Sequence, residues 1–330
     1  MDIRLILSQG RYNMENRRSF LLKSVLALVS FYFMGGMRRI FAGKIPVKTT
    51  KPAKALVVWF SQTGHTERIG RIIGHRLSRE GLQVTTADHR DVDKNILPGF
   101  DIIVAGSPVY YYDVPVTFKQ WLEGIPEIKG TAVASYSTFG GPGHNQHNTA
   151  CSLSELLAEK GGVPMGCETF GNMSTFAPTW STGRIERIVR YRHLPDVNTY
   201  EKARKFAGTV LANVKEGKER EIDFECTIFT PLKHMGTAWW TKKVALDKHV
   251  IDKNLCIQCG ACEEKCPVGA INISKFSIDN EACIFCVGCV NICPVQAHDM
   301  VFMGKKVYGF REFLKRQDIT IVEPDELKKS

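Results

Sequence analysis

A pattern of four cysteines occurs twice near the C-terminus and constrains this chain more than any other feature. Each run has the spacing Cys-x2-Cys-x2-Cys-x3-Cys and ends in a proline. The first run is Cys256, Cys259, Cys262 and Cys266 with Pro267, and the second is Cys283, Cys286, Cys289 and Cys293 with Pro294. Small residues in the loops (Gly260, Ala261 and Gly288) let the backbone approach a bound group closely. The spacing therefore predicts that each loop directs several thiolates at one metal group.

The doubled run resembles the bacterial ferredoxins that carry two [4Fe–4S] clusters. In those proteins the fourth cysteine of each run ligates the cluster of the other run. The resemblance implies one cluster on Cys256, Cys259, Cys262 and Cys293, and a second on Cys283, Cys286, Cys289 and Cys266. A pair of structural zinc sites is the alternative. Zinc sites are usually built from separate Cys-x-x-Cys pairs, so two compact four-cysteine runs favour iron.

Three further cysteines, Cys151, Cys167 and Cys226, share no spacing with one another. Their odd number argues against a disulfide framework. We expect them to be buried or spare thiols.

Strand and helix patterns alternate through the middle of the chain. Apolar runs predict strands at 55–60, 82–87, 101–106, 131–139 and 165–170, and helical spacing predicts helices at 66–80, 115–123, 148–160 and 201–215. Strands that alternate with helices indicate an α/β fold with a doubly wound parallel sheet. The cysteine runs then belong to a second, small α+β domain.

The first predicted strand leads into a segment rich in hydroxyl side chains: Ser61, Gln62, Thr63, Gly64, His65 and Thr66. Hydroxyl groups can donate to phosphate oxygens, Gly64 allows the backbone N–H groups to converge, and the following helix directs its positive end at an anion. The segment resembles the phosphate loop of flavodoxins, which implies bound FMN. An ordinary helix cap rich in Ser and Thr is the alternative.

Two further loops follow the third and fourth predicted strands. They contain Ser107, Pro108, Val109 and Tyr110 to Tyr112, and Thr138, Phe139, Gly140 and Gly141. In a doubly wound sheet, ligands bind beyond the carboxyl ends of the strands at the switch point. The resemblance to flavodoxins implies that the isoalloxazine ring lies between these loops, with Tyr110 or a neighbour stacked on it. Ordinary packing of the tyrosines and plain glycine turns are the alternatives.

The chain divides into five segments on this interpretation. They are an export signal or membrane anchor at 1–43, a linker at 44–54, an FMN domain at 55–216, a connector at 217–247, and a ferredoxin-like domain with a C-terminal extension at 248–330. The connector contains Trp239 and Trp240 and few glycines, so we expect it to pack onto the domains instead of forming a loose tether.

The N-terminal segment carries most of the net charge of +10, because residues 1–52 contain ten Lys and Arg and only two acids. Residues 16–23 include Arg17 and Arg18 and resemble a twin-arginine export signal, and an apolar stretch follows at 25–34. The segment predicts export or membrane association, with a plain anchor or a cytoplasmic location as alternatives. Since the positive charge is concentrated there, a nucleic-acid partner is excluded.

These observations predict electron transfer between iron–sulfur clusters and a flavin, with a redox partner protein or a small electron acceptor as partner. The alternatives are an FMN-dependent reductase of a quinone or similar substrate, and a redox sensor. Residues 141–146 contain two glycines of the dinucleotide-binding fingerprint and lack the third, so the sequence does not predict NAD(P)H binding. A basic stretch from Arg184 to His193 is interpreted as a solvated face or as a docking site for an acidic partner.

Overall fold

The computed structural model describes residues 45–141, 145–225 and 241–328. The predicted export signal or anchor lies outside these residues, as do Cys226, Trp239 and Trp240. Within the described ranges, no helix combines the length and the hydropathy that a bilayer crossing requires.

A five-stranded parallel sheet forms the first part of the molecule. Its strands are β1 (Lys54–Trp59), β2 (Gln83–Asp88), β3 (Ile102–Pro108), β4 (Ala132–Gly140) and β5 (Val163–Asn172). They lie in the order β2-β1-β3-β4-β5. This order confirms the predicted doubly wound α/β fold and places the switch point between β1 and β3. Buried residues such as Leu56, Val58 and Ile103 line the sheet, each contributing about 1.5–3 kcal/mol by burial.

Helices cover both faces of this sheet. They are α1 (His65–Arg79), α2 (Val116–Glu123), α3 (Gln146–Glu159) and the long α6 (Val197–Glu216). Two single-turn helices, α4 (Pro178–Ser181) and α5 (Glu186–Val189), precede α6. Helix α6 begins four residues before the predicted start. Asp196 explains the difference, because its carboxylate accepts the backbone N–H of Thr199 over 2.8 Å and caps the helix there.

The second part of the molecule is small and antiparallel. Its strands are β6 (Leu246–Ile251), β7 (Ile271–Asn272), β8 (Ser277–Ile278), β9 (His298–Phe302) and β10 (Lys305–Lys306). Strand β9 lies between β10 and β6, and β7 pairs with β8. The helices are α7 (Ala261–Glu264) and α8 (Gly288–Ile292), each within a cysteine run, and α9 (Phe310–Arg316).

The segment between β5 and α6, residues 173–195, joins the two parts through a shared hydrophobic core. Trp180 is fully buried, its ring stacks on Phe313 with centroids 4.6 Å apart, and its Nε1–H donates to the carbonyl of Tyr308 over 2.9 Å. Met173 and Ile188 belong to the same cluster as Phe285 and others from the second part. The basic stretch in this segment is exposed, with Ile188 buried beneath it.

The C-terminal residues return across the first part. Glu323 accepts from Nε of Arg68 over 2.7 Å, and Glu326 accepts from Nε and Nη2 of Arg204 over 2.7 and 2.9 Å. The two arginines lie on α1 and α6. These bidentate ion pairs therefore connect the end of the chain to two helices of the sheet domain.

Candidate functional site

The hydroxyl-rich segment forms a tight turn between β1 and α1. Gly64 has φ 86°, a conformation that favours glycine, and helix α1 begins directly after it. Among the described residues, no side chain caps this helix end. Its first N–H groups therefore remain available for an anion, as a phosphate-binding turn requires.

His65 supplies a second sign of an anion site. Both ring nitrogens are buried, and neither has a hydrogen-bond partner among the residues that the structure describes. Burial, and to a smaller extent the charge of Arg68, lowers the pKa of His65 to about 3. A buried donor without a partner costs about 1–3 kcal/mol, so a phosphate oxygen that accepted from this ring would relieve that cost.

The switch point opens into a cleft of about 390 Å³. Nine residues of the two predicted loops line it: Pro108, Val109, Tyr110, Tyr111, Tyr112, Thr138, Phe139, Gly140 and Gly141. Parallel pairing brings them together, since Pro108 at the end of β3 lies beside Thr138 on β4. The volume falls in the range of pockets that hold cofactor-sized ligands.

The turn between β1 and α1 does not line this cleft but contacts its wall. The hydroxyl groups of Thr66 and Thr138 lie 2.8 Å apart, and those of Thr63 and Thr175 lie 3.5 Å apart. Ser61 is half-buried in the same turn. Ser107 is fully buried and donates its hydroxyl to the carbonyl of Pro108 over 2.8 Å, which holds the end of β3.

The three consecutive tyrosines after β3 have different environments. The Tyr110 ring packs edge-on against Phe60 with centroids 5.7 Å apart, so it is directed toward the core of the sheet domain. Tyr111 donates its hydroxyl to the carbonyl of Phe285 over 3.2 Å, and burial raises its pKa above the ordinary value. Tyr112 is 43% exposed and lines the cleft. Among the three, Tyr112 has the surface that a stacked ring system needs.

The end of β5 supplies cleft residues that the sequence analysis missed. Asn172, Ser174, Thr175 and Phe176 all line the cleft. A Cβ at Gly140 would lie 2.1 Å from the Cα of Ser174, so this chain passes directly over the glycine turn. The Gly-Gly pair signals such a close approach, but it does not identify the segment that makes it.

The eight cysteines of the two runs line two separate pockets. One pocket is lined by Cys256, Cys259, Cys262 and Cys293, and the other by Cys266, Cys283, Cys286 and Cys289. Each pocket thus contains three cysteines of one run and the fourth cysteine of the other run. These are the two sets that the resemblance to ferredoxins implied.

The fourth cysteine of each run accepts an equivalent hydrogen bond from the backbone. The N–H of Ala270 donates to Sγ of Cys266, and the N–H of Ala297 donates to Sγ of Cys293, each over 3.2 Å. Four thiolates, N–H donors to sulfur and apolar walls make a donor set that fits an iron–sulfur cluster in each pocket.

Gln62, in the turn between β1 and α1, contacts the second cysteine loop. A Cβ at Gly288 would lie 2.2 Å from Oε1 of Gln62, and the Gln62 amide donates to the carbonyl of Lys265 over 3.2 Å. The space beside Gly288 is therefore filled by a side chain of the sheet domain, a second reason for a glycine there.

A short stretch of the second cysteine run lines two sites at once. Phe285, Cys286 and Val287 border both the cleft of the sheet domain and the second cysteine pocket. The two sites therefore share a wall that contains one of the candidate cluster ligands.

Two buried histidines lie at the cysteine pockets: His249 lines the second pocket and His298 lines the first. His249 Nε2 lies 3.5 Å from Sγ of Cys289. Burial lowers the pKa of both histidines to about 4, with His298 contributing to the shift at His249. Both rings are therefore neutral at pH 7, and His249 can donate one N–H toward the sulfur.

Comparisons with known proteins match the two parts separately. Residues 249–272 match the family Fer4, 4Fe-4S binding domain. A flavodoxin from Clostridium saccharobutylicum is 25% identical over 168 residues, which cover 49% of this chain and 98% of that flavodoxin. The chain contains a flavodoxin-like domain and a 4Fe–4S binding motif. The predicted fold and ferredoxin motif are thereby confirmed, and the Fer4 match spans the first cysteine run.

Two other similarities are more limited. An FMN-dependent NADH:quinone oxidoreductase from Pseudoalteromonas atlantica is 34% identical over 68 residues, which cover 21% of this chain and 31% of that enzyme. The solved structure of oxidised Flavodoxin 2 from Bacillus cereus is 21% identical, with a TM-score of 0.38, and the alignment covers 49% of this chain and 99% of that one.

Proposed function

We propose that this protein transfers electrons between two [4Fe–4S] clusters and a bound FMN. The observation that carries the proposal is the shared wall of Phe285, Cys286 and Val287 between the cleft and the second cysteine pocket. Electron transfer requires cofactors close together, and here one cysteine borders both sites. When bound, FMN supplies a carrier that exchanges one or two electrons, whereas clusters exchange single electrons.

The residues of the flavodoxin-like domain have separate roles in holding FMN. The N–H groups after Gly64, with the hydroxyls of Thr63 and Thr66, would bind the phosphate. The glycine turn at Gly140 and Gly141 and the end of β5 would hold the polar edge of the ring. Tyr112 would cover one face.

The two cysteine pockets differ in exposure, and this difference suggests the order in which electrons pass through them. In the first pocket Cys262 and Cys293 are buried, but Cys259 is exposed, and its neighbours Leu255 and Ile257 are 46% and 62% exposed. All four cysteines of the second pocket are only partly exposed. The first pocket would therefore face the external redox partner, and the second would lie between it and the flavin.

A rapid-reduction experiment on iron-replete, FMN-loaded protein tests this order. After a pulse of reductant to the clusters, flavin absorbance should change at a rate that is independent of protein concentration. Cys256→Ala should keep transfer from the second cluster to the flavin, whereas Cys286→Ala should abolish it. A rate proportional to protein concentration would show that electrons pass between molecules and would contradict the proposal.

A second candidate function is reduction of a quinone or similar substrate at the cleft. Asn145 and Gln146 add polar groups to the cleft, and Tyr112 is partly exposed beside them. The similarity to an FMN-dependent NADH:quinone oxidoreductase also supports it. With reduced viologen as donor, a reductase will turn over menadione with a saturable rate. A carrier will give a slow rate that rises linearly with menadione.

Export or membrane attachment through residues 1–43 is also part of the proposal. The support is the sequence around Arg17 and Arg18 and the apolar stretch after it. A reporter fused after residue 52 should leave the cytoplasm, and Arg17→Lys with Arg18→Lys should retain it there. Export that survives this double change would argue for a plain anchor or another route.

A further inference from the structure

A cluster of three metal-binding side chains lies in the flavodoxin-like domain, apart from the two cysteine runs. It consists of His147 and Cys151 on α3 and Cys167 on β5. Their ligand atoms all lie within 4.8 Å of one another. The proposed electron transfer does not use these residues.

The distances within this cluster match the edges of a tetrahedral zinc site. His147 Nε2 lies 3.4 Å from Cys151 Sγ, and the two sulfurs of Cys151 and Cys167 lie 3.9 Å apart. Zinc–sulfur bonds of about 2.3 Å and zinc–nitrogen bonds of about 2.0–2.1 Å give edges of about 3.8 Å between two sulfurs and about 3.5 Å between nitrogen and sulfur. Two of the three edges therefore fit a zinc ion, and the third, between His147 and Cys167, is within 4.8 Å.

The backbone holds these residues in place without a metal. His147 and Cys151 are four residues apart on one helix and so share a face. Strand β5 places Cys167 beside that face. The segment after α6 closes the site, because His147 Nε2–H and Cys151 Sγ–H donate to the Asp223 carbonyl over 2.6 and 3.3 Å, two bonds that a zinc ion would replace.

We propose that His147, Cys151 and Cys167 form a mononuclear zinc site, with an oxygen of water or of the Asp223 carbonyl as fourth ligand. Binding converts both thiols to thiolates and releases two protons to solvent, while the imidazole proton moves to Nδ1. The two thiolate charges balance the charge of the ion. Two sulfurs, one imidazole and one oxygen form a donor set that suits zinc better than magnesium or calcium, which take oxygen ligands.

The position of the site assigns it a structural role. Asn148, next to His147, donates to the carbonyl of Glu225 over 2.9 Å and accepts its N–H over 2.8 Å. Asn145 and Gln146, just before His147, line the cofactor cleft. With the Asp223 carbonyl as fourth ligand, a zinc ion here would fasten the chain after α6 to the helix that borders the cleft. Because zinc has no redox chemistry, it would not compete for electrons.

The test measures zinc in iron-replete protein, so that the eight cysteines of the two runs are occupied. After addition of Zn²⁺ alone and dialysis, elemental analysis should find one zinc per chain. Zinc-edge X-ray absorption should show about two sulfur ligands near 2.3 Å and nitrogen or oxygen near 2.0–2.1 Å. Cys151→Ser and Cys167→Ser should each weaken zinc binding about 10-fold or more, and iron and FMN content, which report folding, should not change.

Cys226→Ser is the matched control, since it removes the one other cysteine outside the two runs. It should leave zinc binding as in the wild type. If the double variant of Cys151 and Cys167 still binds one zinc, the site lies elsewhere and the proposal is wrong. It is also wrong if iron-replete protein binds no zinc, or if intact mass and peptide mapping show a Cys151–Cys167 disulfide that reduction does not convert to a zinc-binding form.

Discussion

Tyr111 donates its phenolic hydroxyl to the backbone carbonyl of Phe285 over 3.2 Å. This bond links the loop after β3 to the second cysteine run, the two segments that face each other across the cofactor cleft. Phe285 is buried, and its ring packs on Phe302 in the core shared by the two parts. This hydrogen bond and the apolar packing of Phe285 together fix the position of the cleft relative to the second cysteine pocket.

Replacing Tyr111 by Phe should remove this bond and keep the ring. We expect a loss of about 0.5–1.5 kcal/mol of stability and slower electron transfer from cluster to flavin. Stopped-flow absorbance after rapid cluster reduction measures the rate. Tyr200→Phe is the control, because it removes a comparable bond, from the Tyr200 hydroxyl to the Val322 carbonyl, at a residue that does not line the cleft; equal rates in both variants would show that the Tyr111 bond does not set the geometry.

Thr63→Val with Thr66→Val should weaken FMN binding about 30-fold or more. Each lost bond to a charged phosphate costs about 1–3 kcal/mol, and valine has nearly the same shape as threonine. Fluorescence titration of FMN gives the affinity. Thr117→Val serves as control, since the Thr117 hydroxyl on α2 is buried and finds no partner among the described residues. Unchanged affinity in the double variant would place the phosphate elsewhere.

His65 should make the FMN-free protein less stable in acid. Its pKa is about 3 when folded and about 6.5 when unfolded, so below pH 6.5 only the unfolded state takes up the proton. Stability is then lost as the pH falls from about 6.5 toward 3, by about 2 kcal/mol at pH 5. Thermal midpoints between pH 5 and 7.5 should therefore fall less in His65→Gln than in the wild type.

The exposed His75 on the same helix provides the matched variant, and His75→Gln should follow the wild type. Bound FMN should also reduce the acid sensitivity if its phosphate meets His65, because an anion favours the charged ring. A His65→Gln variant with the full acid sensitivity of the wild type would show that another group is responsible.

Cys293→Ala should damage the same cluster as Cys256→Ala, although Cys293 belongs to the other run. Both residues line the first pocket. We expect about eight irons per chain in the wild type and about four in each variant, with the same EPR signal lost. Cys286→Ala should remove the other signal. If Cys293→Ala and Cys286→Ala lose the same signal, the ligand sets are not crossed.

Local sequence signals predicted much of the fold, because they depend on neighbouring residues. The apolar run of β1 and the turn at Gly64 are examples. The environment of Tyr110 could not be predicted in this way, since its contact with Phe60 comes from the assembled sheet. The proximity of Cys151 and Cys167 also depends on the packing of α3 beside β5. Helices α4 and α5 are single turns whose apolar residues pack against partners far away in the chain, so periodicity gives no signal for them.

The shared core formed by residues 173–195 has a consequence for the evolution and engineering of this chain. Trp180 lies between the last strand and the last helix of the flavodoxin-like domain, and its ring is buried against Phe313 of the other part. Excising either domain would expose that surface to water. A cut between α6 and β6 should therefore leave two fragments that remain associated, and either half would need a redesigned surface before it could be exchanged as an independent module.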